Sequence, residues 1–258
     1  KAAFKRGFKT VYVYELRGQG RSERKNDIQT IDIENFSEYI FDVVQFFKHI
    51  KEQDGTPTSS PFMITHSTGS LVIAAAMDEI SKQTPSLKPA KIVHLAPLFK
   101  LNVPPILKQA PVFAMVAGFS HLARSMGWII LGKKFVDRPF EQNKVTNNKE
   151  LYEKSVKIRT TENLRSSGVS LSWATATQAE ISIQASHGFK ELDQPNLILL
   201  ADDERVVDND WNFENPNFKV ESVKNSKHAM HMETTAVFLG VMDRSFRFFL
   251  APMAQEKE

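Results

Sequence analysis

Thr65-His66-Ser67-Thr68-Gly69 stands between an apolar, strand-like segment, Pro61-Phe62-Met63-Ile64, and a helix-like one from Leu71 to Ile80. A serine on so tight a strand-to-helix turn is forced into a strained backbone conformation, and small residues two positions away on either side let neighbouring backbone come close. Its hydroxyl then stands exposed at the end of a sheet. The N–H of Thr68, at the start of the helix, points at where a tetrahedral oxyanion would form. Ser67 is thus the candidate nucleophile and Thr68 the candidate oxyanion donor. Thr65 departs from the glycine usual at the first position, and its branched side chain crowds the turn. Taken alone, the five residues also read as a Ser/Thr-rich helix cap.

The second half of the chain gives the motif company. The apolar run Leu197-Ile198-Leu199-Leu200-Ala201 ends in Asp202-Asp203-Glu204-Arg205-Val206-Val207-Asp208, which puts carboxylates just past the carboxyl end of a predicted strand, where parallel sheets carry their sites. Phe218 to Val223 alternates like a strand and leads through Lys224–Lys227 into His228, ahead of a predicted helix from Met232 to about Leu250. Serine, acid and histidine each follow a strand. A serine hydroxyl is a poor nucleophile near neutral pH, so a histidine must take its proton, and a carboxylate on the other ring nitrogen must hold the tautomer and the imidazolium charge. His228 is the candidate base, with His231 as rival one turn into the following helix. Glu204 is the first choice of acid, with Asp203 and Asp208 behind it. The acidic run also reads as a solvated loop.

Glu15-Leu16-Arg17-Gly18-Gln19-Gly20-Arg21-Ser22 resembles the D-x-R-G-H/Q-G-x-S signature of the monoacylglycerol lipase and lysophospholipase branch of the α/β-hydrolases, the serine aminopeptidase S33-like group, and lysophospholipases of the L2 type in particular. The resemblance continues in Thr65–Gly69, where the family has Ala or Gly before His-Ser-Met-Gly, and in Glu204-Arg205-Val206-Val207-Asp208-Asn209, whose glutamate is similar to that of the lysophospholipases. Asn225-Ser226-Lys227-His228, followed by Glu233, stands where the family has G-x-x-H, and asparagine tolerates the left-handed backbone that glycine would supply. Pro139–Thr146 and Gly168–Trp173 resemble landmarks of the family's cap. The likeness implies an α/β-hydrolase fold, with Ser, acid and His in the order of its triad. It implies a core in two parts, 1–97 with the elbow and 188–258 with acid and histidine, around a helical cap inserted over 98–187. It further implies strands and a second oxyanion donor ahead of a helix at Lys1–Gly7, so the sequence reads as lacking its upstream part.

Composition suits such an enzyme. At 258 residues and 41% apolar the chain can bury a large core, and one domain with an insertion fits that length. A net charge of +3, from 33 basic and 30 acidic residues, is too small to argue for nucleic acid. There is no cysteine, hence no disulfide or thiolate site. The seven histidines include no H-E-x-x-H pairing, so neither a metal nor a cofactor is expected. Arg17–Ser22 has too few glycines for a phosphate loop and reads as a tight turn.

Thr10–Tyr14 and Lys91–Leu95 read as strands by their β-branched and aromatic content. Phe36, Tyr39, Ile40, Val43, Val44, Phe47 and Ile50 recur at helical spacing. Strands alternating with helices predict a mainly parallel sheet covered on both faces. Pro104-Pro105 opens a region that breaks the alternation, and the apolar stretch Pro111–Phe119 is far shorter than the ~20 residues of a membrane span. Phe113, Met115, Phe119, Met126 and Trp128 read first as cap core. A sharper reading makes Phe113, Phe119 and Trp128 the wall of an acyl-chain site with an oily face toward a membrane, and lets His121, Arg124, Lys133 and Lys134 meet a phosphate or lipid surface. The expectation is a serine hydrolase of lipid esters, a lysophospholipase or monoacylglycerol lipase. The alternatives are a peptidase or small-ester hydrolase of the same fold, or a binding protein that kept the fold without the chemistry. The compartment stays open between the cytoplasm and peripheral attachment to an inner membrane.

Overall fold

Phe62–His66 (β1), Lys91–Leu95 (β2), Asn196–Ala201 (β3) and Phe218–Val223 (β4) lie side by side in that order as one parallel sheet. The computed structural model describes residues 3–23, 30–55, 60–103, 110–126, 138–164, 166 and 168–252. Among the described residues six helices accompany the strands: Ser37–Asp54 (α1), Thr68–Gln83 (α2), Ala110–Ser125 (α3), Lys149–Thr161 (α4), Leu171–Ser186 (α5) and Thr235–Leu250 (α6). The elements α3, α4 and α5 all fall between β2 and β3.

Alternation along the central strands divides the core. Ile92 and Ile198 face one way, into a cluster with Tyr39, Val43 and Phe47 of α1, Leu71, Met77 and Ile80 of α2, and Trp173 and Ile181 of α5. Val93, Leu95, Leu197 and Leu199 face the other way, against Val241, Phe246 and Phe249 of α6. Helices thus cover both faces, as strands β2, buried at every position, and β3, buried at all but Leu200, require. The ammonium of Lys91 is buried against the carboxyl end of α6, donating to the Phe248 and Phe249 carbonyls at 2.9 and 3.2 Å. It satisfies carbonyls that have no partner within the helix.

Because every strand runs the same way, all four carboxyl ends share one edge of the sheet. Ser67 follows β1, Glu204 follows β3 and His228 follows β4.

Two expectations need correction. Thr10–Tyr14 forms no strand. β-Branched residues favour extended backbone, but a strand exists only where a ladder partner takes its N–H and C=O groups, and here the segment is held by side chains instead, Tyr12 and Tyr14 packing on Phe46 of α1. Val13 stands 81% exposed. The helix expected at Lys1–Gly7 is a single 3-10 turn, Phe4–Arg6, stopped by Gly7 at φ 89°, a left-handed conformation that ends helices.

Candidate active site

The turn at Ser67 has the strain its sequence predicts. Ser67 sits at φ 51°, ψ −122° between β1 and α2, a region that non-glycine residues occupy only when their surroundings force them there. Both of its backbone groups are engaged. Its N–H donates to the Leu95 carbonyl at 3.1 Å, prolonging the β1–β2 ladder, and its carbonyl accepts from Ser70 and Leu98 N–H at 3.0 and 3.1 Å. Thr68 is the first residue of α2, so its N–H has no partner within the helix.

His228 Nε2 lies 2.9 Å from Ser67 Oγ, and His228 Nδ1 lies 3.1 and 3.0 Å from the two carboxylate oxygens of Glu204. The two side chains are 6% and 5% exposed, so the pair is largely screened from water and its attraction is stronger than at a surface. Burial acts to raise the Glu204 carboxyl, but hydrogen bonds from His228 and from the Val206 and Val207 N–H groups outweigh it and hold the group below its ordinary value. Glu204 is therefore an anion that accepts from Nδ1–H, which leaves Nε2 free to accept a proton from Ser67. Asp203 turns away to pair with Arg205 at 2.6 Å, and Asp208 pairs with Lys100 at 3.3 Å. His231 lies in a 3-10 turn, Met230–Met232, ahead of α6 rather than inside it, with its ring 4.9 Å from that of His66.

The family model for serine aminopeptidases, S33, matches residues 2–234. The chain belongs to that family. Among solved structures this S33 hydrolase is similar to a monoacylglycerol lipase of Paleococcus ferrophilus, at 13% identity and TM-score 0.61 over 91% of this chain and 81% of the other. It is also similar to a soluble variant of monoglyceride lipase from Saccharomyces cerevisiae, at 13% identity and TM-score 0.59 over 93% and 77%. At such identities the likeness speaks for the fold, which is that of the α/β-hydrolases. No curated protein matches the sequence.

In this S33 hydrolase Thr65 has a use that its crowding of the turn conceals. Its hydroxyl lies 2.9 Å from Ser70 Oγ and 2.9 Å from His94 Nδ1, while His94 Nε2 lies 3.2 Å from Asn196 Oδ1. Asn196 Oδ1 can only accept, so His94 carries its proton on Nε2, Thr65 donates to Nδ1, and Ser70 donates to Thr65. The chain of bonds ties elbow, β2 and β3 together beneath Ser67. Burial pushes His94 down to about 4, and burial with the neighbouring His228 and His231 pushes His66 down to about 3. Both values lie below the ordinary 6.5, so below that pH the unfolded chain takes up protons that the folded one refuses. Stability is fully present above about 6.5 and is lost as pH falls toward the folded values, by at most about 1.4 kcal/mol per pH unit for each group. Urea unfolding should therefore show stability declining between pH 6.5 and 5, with a shallower decline in His94→Asn. A flat profile in the parent protein would contradict the neutral, buried histidines.

The other expected residues are placed differently. Met115, Phe119, Leu122 and Met126 are 73%, 59%, 59% and 50% exposed, which overturns the cap-core reading for Met115, Phe119 and Met126. Their spacing of four, three and four puts them on one stripe of α3 and just beyond it. Phe113 is half-buried, and Trp128, Lys133, Lys134 and Pro104-Pro105 lie outside the described residues. His121 is exposed. Arg124 is spoken for: it holds the buried carboxylate of Asp32 with two bonds of 3.1 Å and meets Glu34 at 3.3 Å. It anchors α3 rather than facing a phosphate. Among the described residues no cluster of histidine and carboxylates could hold a metal.

Several residues of the site escape sequence reasoning. Asp202 accepts from the Asn225 and Ser226 N–H groups at 2.9 Å each and so stitches the β3 loop to the loop that carries His228. Asn225 in that loop adopts φ 57°, the left-handed backbone expected of it from sequence. His66 donates from Nε2 to the His228 carbonyl at 3.0 Å. The Asp202 and His66 contacts join distant stretches of chain, for which the sequence carries no local signal.

Proposed function

We propose that this S33 hydrolase cleaves carboxylic esters of lipids with one acyl chain, a lysophospholipid or a monoacylglycerol. The observation that carries the reading is the unbroken line Ser67–His228–Glu204. In the proposed reaction Ser67 Oγ attacks the ester carbonyl while His228 Nε2 takes its proton. Glu204 holds Nδ1–H and the positive charge that develops on the ring, and Thr68 N–H receives the oxyanion. Collapse of the tetrahedral adduct expels the alcohol, which leaves with the proton from His228. Water then repeats the sequence on the acyl-serine and frees the fatty acid. No cofactor has a part in these steps.

The insertion over 98–187 is the proposed cap, and Phe113 and Phe119, with Trp128, its acyl-binding face. The exposed stripe on α3 suits a substrate that is itself apolar or a lipid surface that delivers it. No described helix is long and apolar enough to cross a membrane. The two lipases named above are called monoacylglycerol and monoglyceride lipases, which supports this substrate class. The family's own name supports a second reading, removal of amino-terminal residues from peptides.

A panel of monoacylglycerols, lysophospholipids, short aryl esters and aminoacyl amides separates the two. The expected result is ester cleavage that rises with acyl length. Phe119→Ser should depress long-chain esters by about fourfold for each methylene that loses its contact, the equivalent of ~0.8 kcal/mol, and leave short ones near the parent value. Activity on aminoacyl amides alone would sink the lipid reading. A uniform loss in Phe119→Ser with lower thermal stability would make that residue a packing element.

A further inference from the structure

The backbone around His228 is held at three successive residues by three separate parts of the chain. Lys227 N–H donates to Glu233 Oε1 at 2.8 Å, the His228 carbonyl accepts from His66, and Ala229 N–H donates to the Val145 carbonyl at 2.7 Å. Glu233 is only 1% exposed. Besides Lys227 it takes the N–H of Asn147 on both oxygens, at 3.0 and 3.1 Å. Asn147 in turn reaches the Asn225 carbonyl at 3.3 Å, and Thr146 Oγ1 donates to the Met232 carbonyl at 2.7 Å. Asn143 shapes this segment from within, its Oδ1 accepting from the N–H groups of Val145 and Thr146 at 3.0 Å each.

Segment 143–148 lies between α3 and α4, some eighty positions before His228, and yet it grips the His228 loop at both ends. A buried carboxylate satisfied by N–H donors costs more to leave unpaired than it contributes when paired. Glu233 therefore acts as a fixed point rather than as a source of stability alone. It reaches back six residues to close a ring of chain with His228 inside it. Any displacement of segment 143–148 moves both neighbours of His228 together.

We propose that Glu233, with Thr146 and Asn147 opposite it, forms a clasp that positions the His228 imidazole against Ser67. These are positioning residues, since nothing places them against the reacting atoms, and the proposal rests on reading Ser67, His228 and Glu204 as a triad. Because the clasp draws two of its three members, Thr146 and Asn147, from the stretch between α3 and α4, it couples the placement of the base to that insertion. A lipid that shifts the insertion would shift His228 as well.

The test uses the full chain and a short aryl ester. Displacing a reacting group by an ångström costs on the order of 10²-fold, so Glu233→Ala should lower kcat about 10²-fold with KM within about twofold. Lys227 N–H and the shorter Asn147 N–H bond both fall on Oε1, so Glu233→Gln keeps both, loses only the 3.1 Å contact on Oε2, and should recover kcat to within about threefold of the parent. The low-field proton resonance of the His228–Glu204 hydrogen bond should survive in Glu233→Gln and broaden or vanish in Glu233→Ala. Thr146→Val removes the donor to the Met232 carbonyl and the acceptor of the Asn148 N–H without changing shape, and should cost about tenfold in kcat, which decides the matter should Glu233→Ala fail to fold. Parent-like kcat in folded Glu233→Ala, or in Thr146→Val, overturns the clasp. So does a lowered kcat in Glu233→Ala with the resonance unchanged, which places the loss somewhere other than the His228–Glu204 pair. Ser67→Ala, run alongside, keeps the two claims apart: activity surviving there overturns the triad reading itself, whereas an inactive Ser67→Ala beside a fully active Glu233→Ala overturns the clasp alone.

Discussion

Ser67→Ala and His228→Ala are each expected to lower kcat on an aryl ester by about 10⁶-fold, and the double variant no further than either single one. The geometry requires this lack of additivity. Ser67 Oγ and His228 Nε2 are 2.9 Å apart and share one proton. Without the imidazole the hydroxyl is a weak nucleophile, and without the hydroxyl the imidazole has nothing to activate. What remains in every case is whatever the oxyanion donor and substrate binding provide. Losses that multiply in the double variant would mean that the two side chains act in separate steps. Circular dichroism and thermal melts run in parallel should stay near the parent, because neither substitution opens an apolar cavity.

Glu204→Gln should cost about 10⁴-fold in kcat, and Asp203→Asn less than about twofold. The reason lies in the other bonds that Glu204 makes. Its Oε1 also accepts from Val206 and Val207 N–H, at 2.8 and 3.3 Å. A glutamine that keeps its oxygen on those donors turns its amide N–H toward His228 Nδ1. The ring must then carry its proton on Nε2, where it donates to Ser67 instead of accepting from it. Turning the amide over restores the tautomer but sets a donor against two backbone donors. Asp203, paired with Arg205, has no such influence on the ring. Equal activity in Glu204→Gln and the parent would remove Glu204 from the site.

The order of these residues in the chain was readable because each stands just past a strand with a strong apolar signature. In a parallel sheet that position alone brings distant residues to one edge. The strain at Ser67 and the left-handed turn at Asn225 were readable as well, since both follow from the side chains that neighbouring backbone will tolerate. Thr10–Tyr14 misled, for its β-branched residues state a preference for extended backbone and nothing about a partner. Met115, Phe119 and Met126 misled too: hydrophobicity does not say which stripe of a helix meets the core. The bonds of Thr65, His94 and Asn196, and those of Glu233 with Asn147, were invisible for another reason. Each joins side chains or backbone groups that only the finished fold makes neighbours, and a buried histidine or glutamate looks in sequence like a solvated one.

The long excursion between β2 and β3 bears on how the enzyme comes into being. About 24 residues separate β1 from β2 but about 100 separate β2 from β3, a difference worth only about 1.3 kcal/mol of loop-closure entropy. Such a detour is cheap at equilibrium, and its effect falls on timing. Contacts of large sequence separation form late, and as the chain leaves the ribosome the serine and its strand are made well before the acid and the base. The proposed nucleophile must wait, strained or unformed, until about the last quarter of the 258 residues docks. Hydrolytic activity is then a report on the final step of folding, and a protein arrested before that step carries Ser67 without any means of using it.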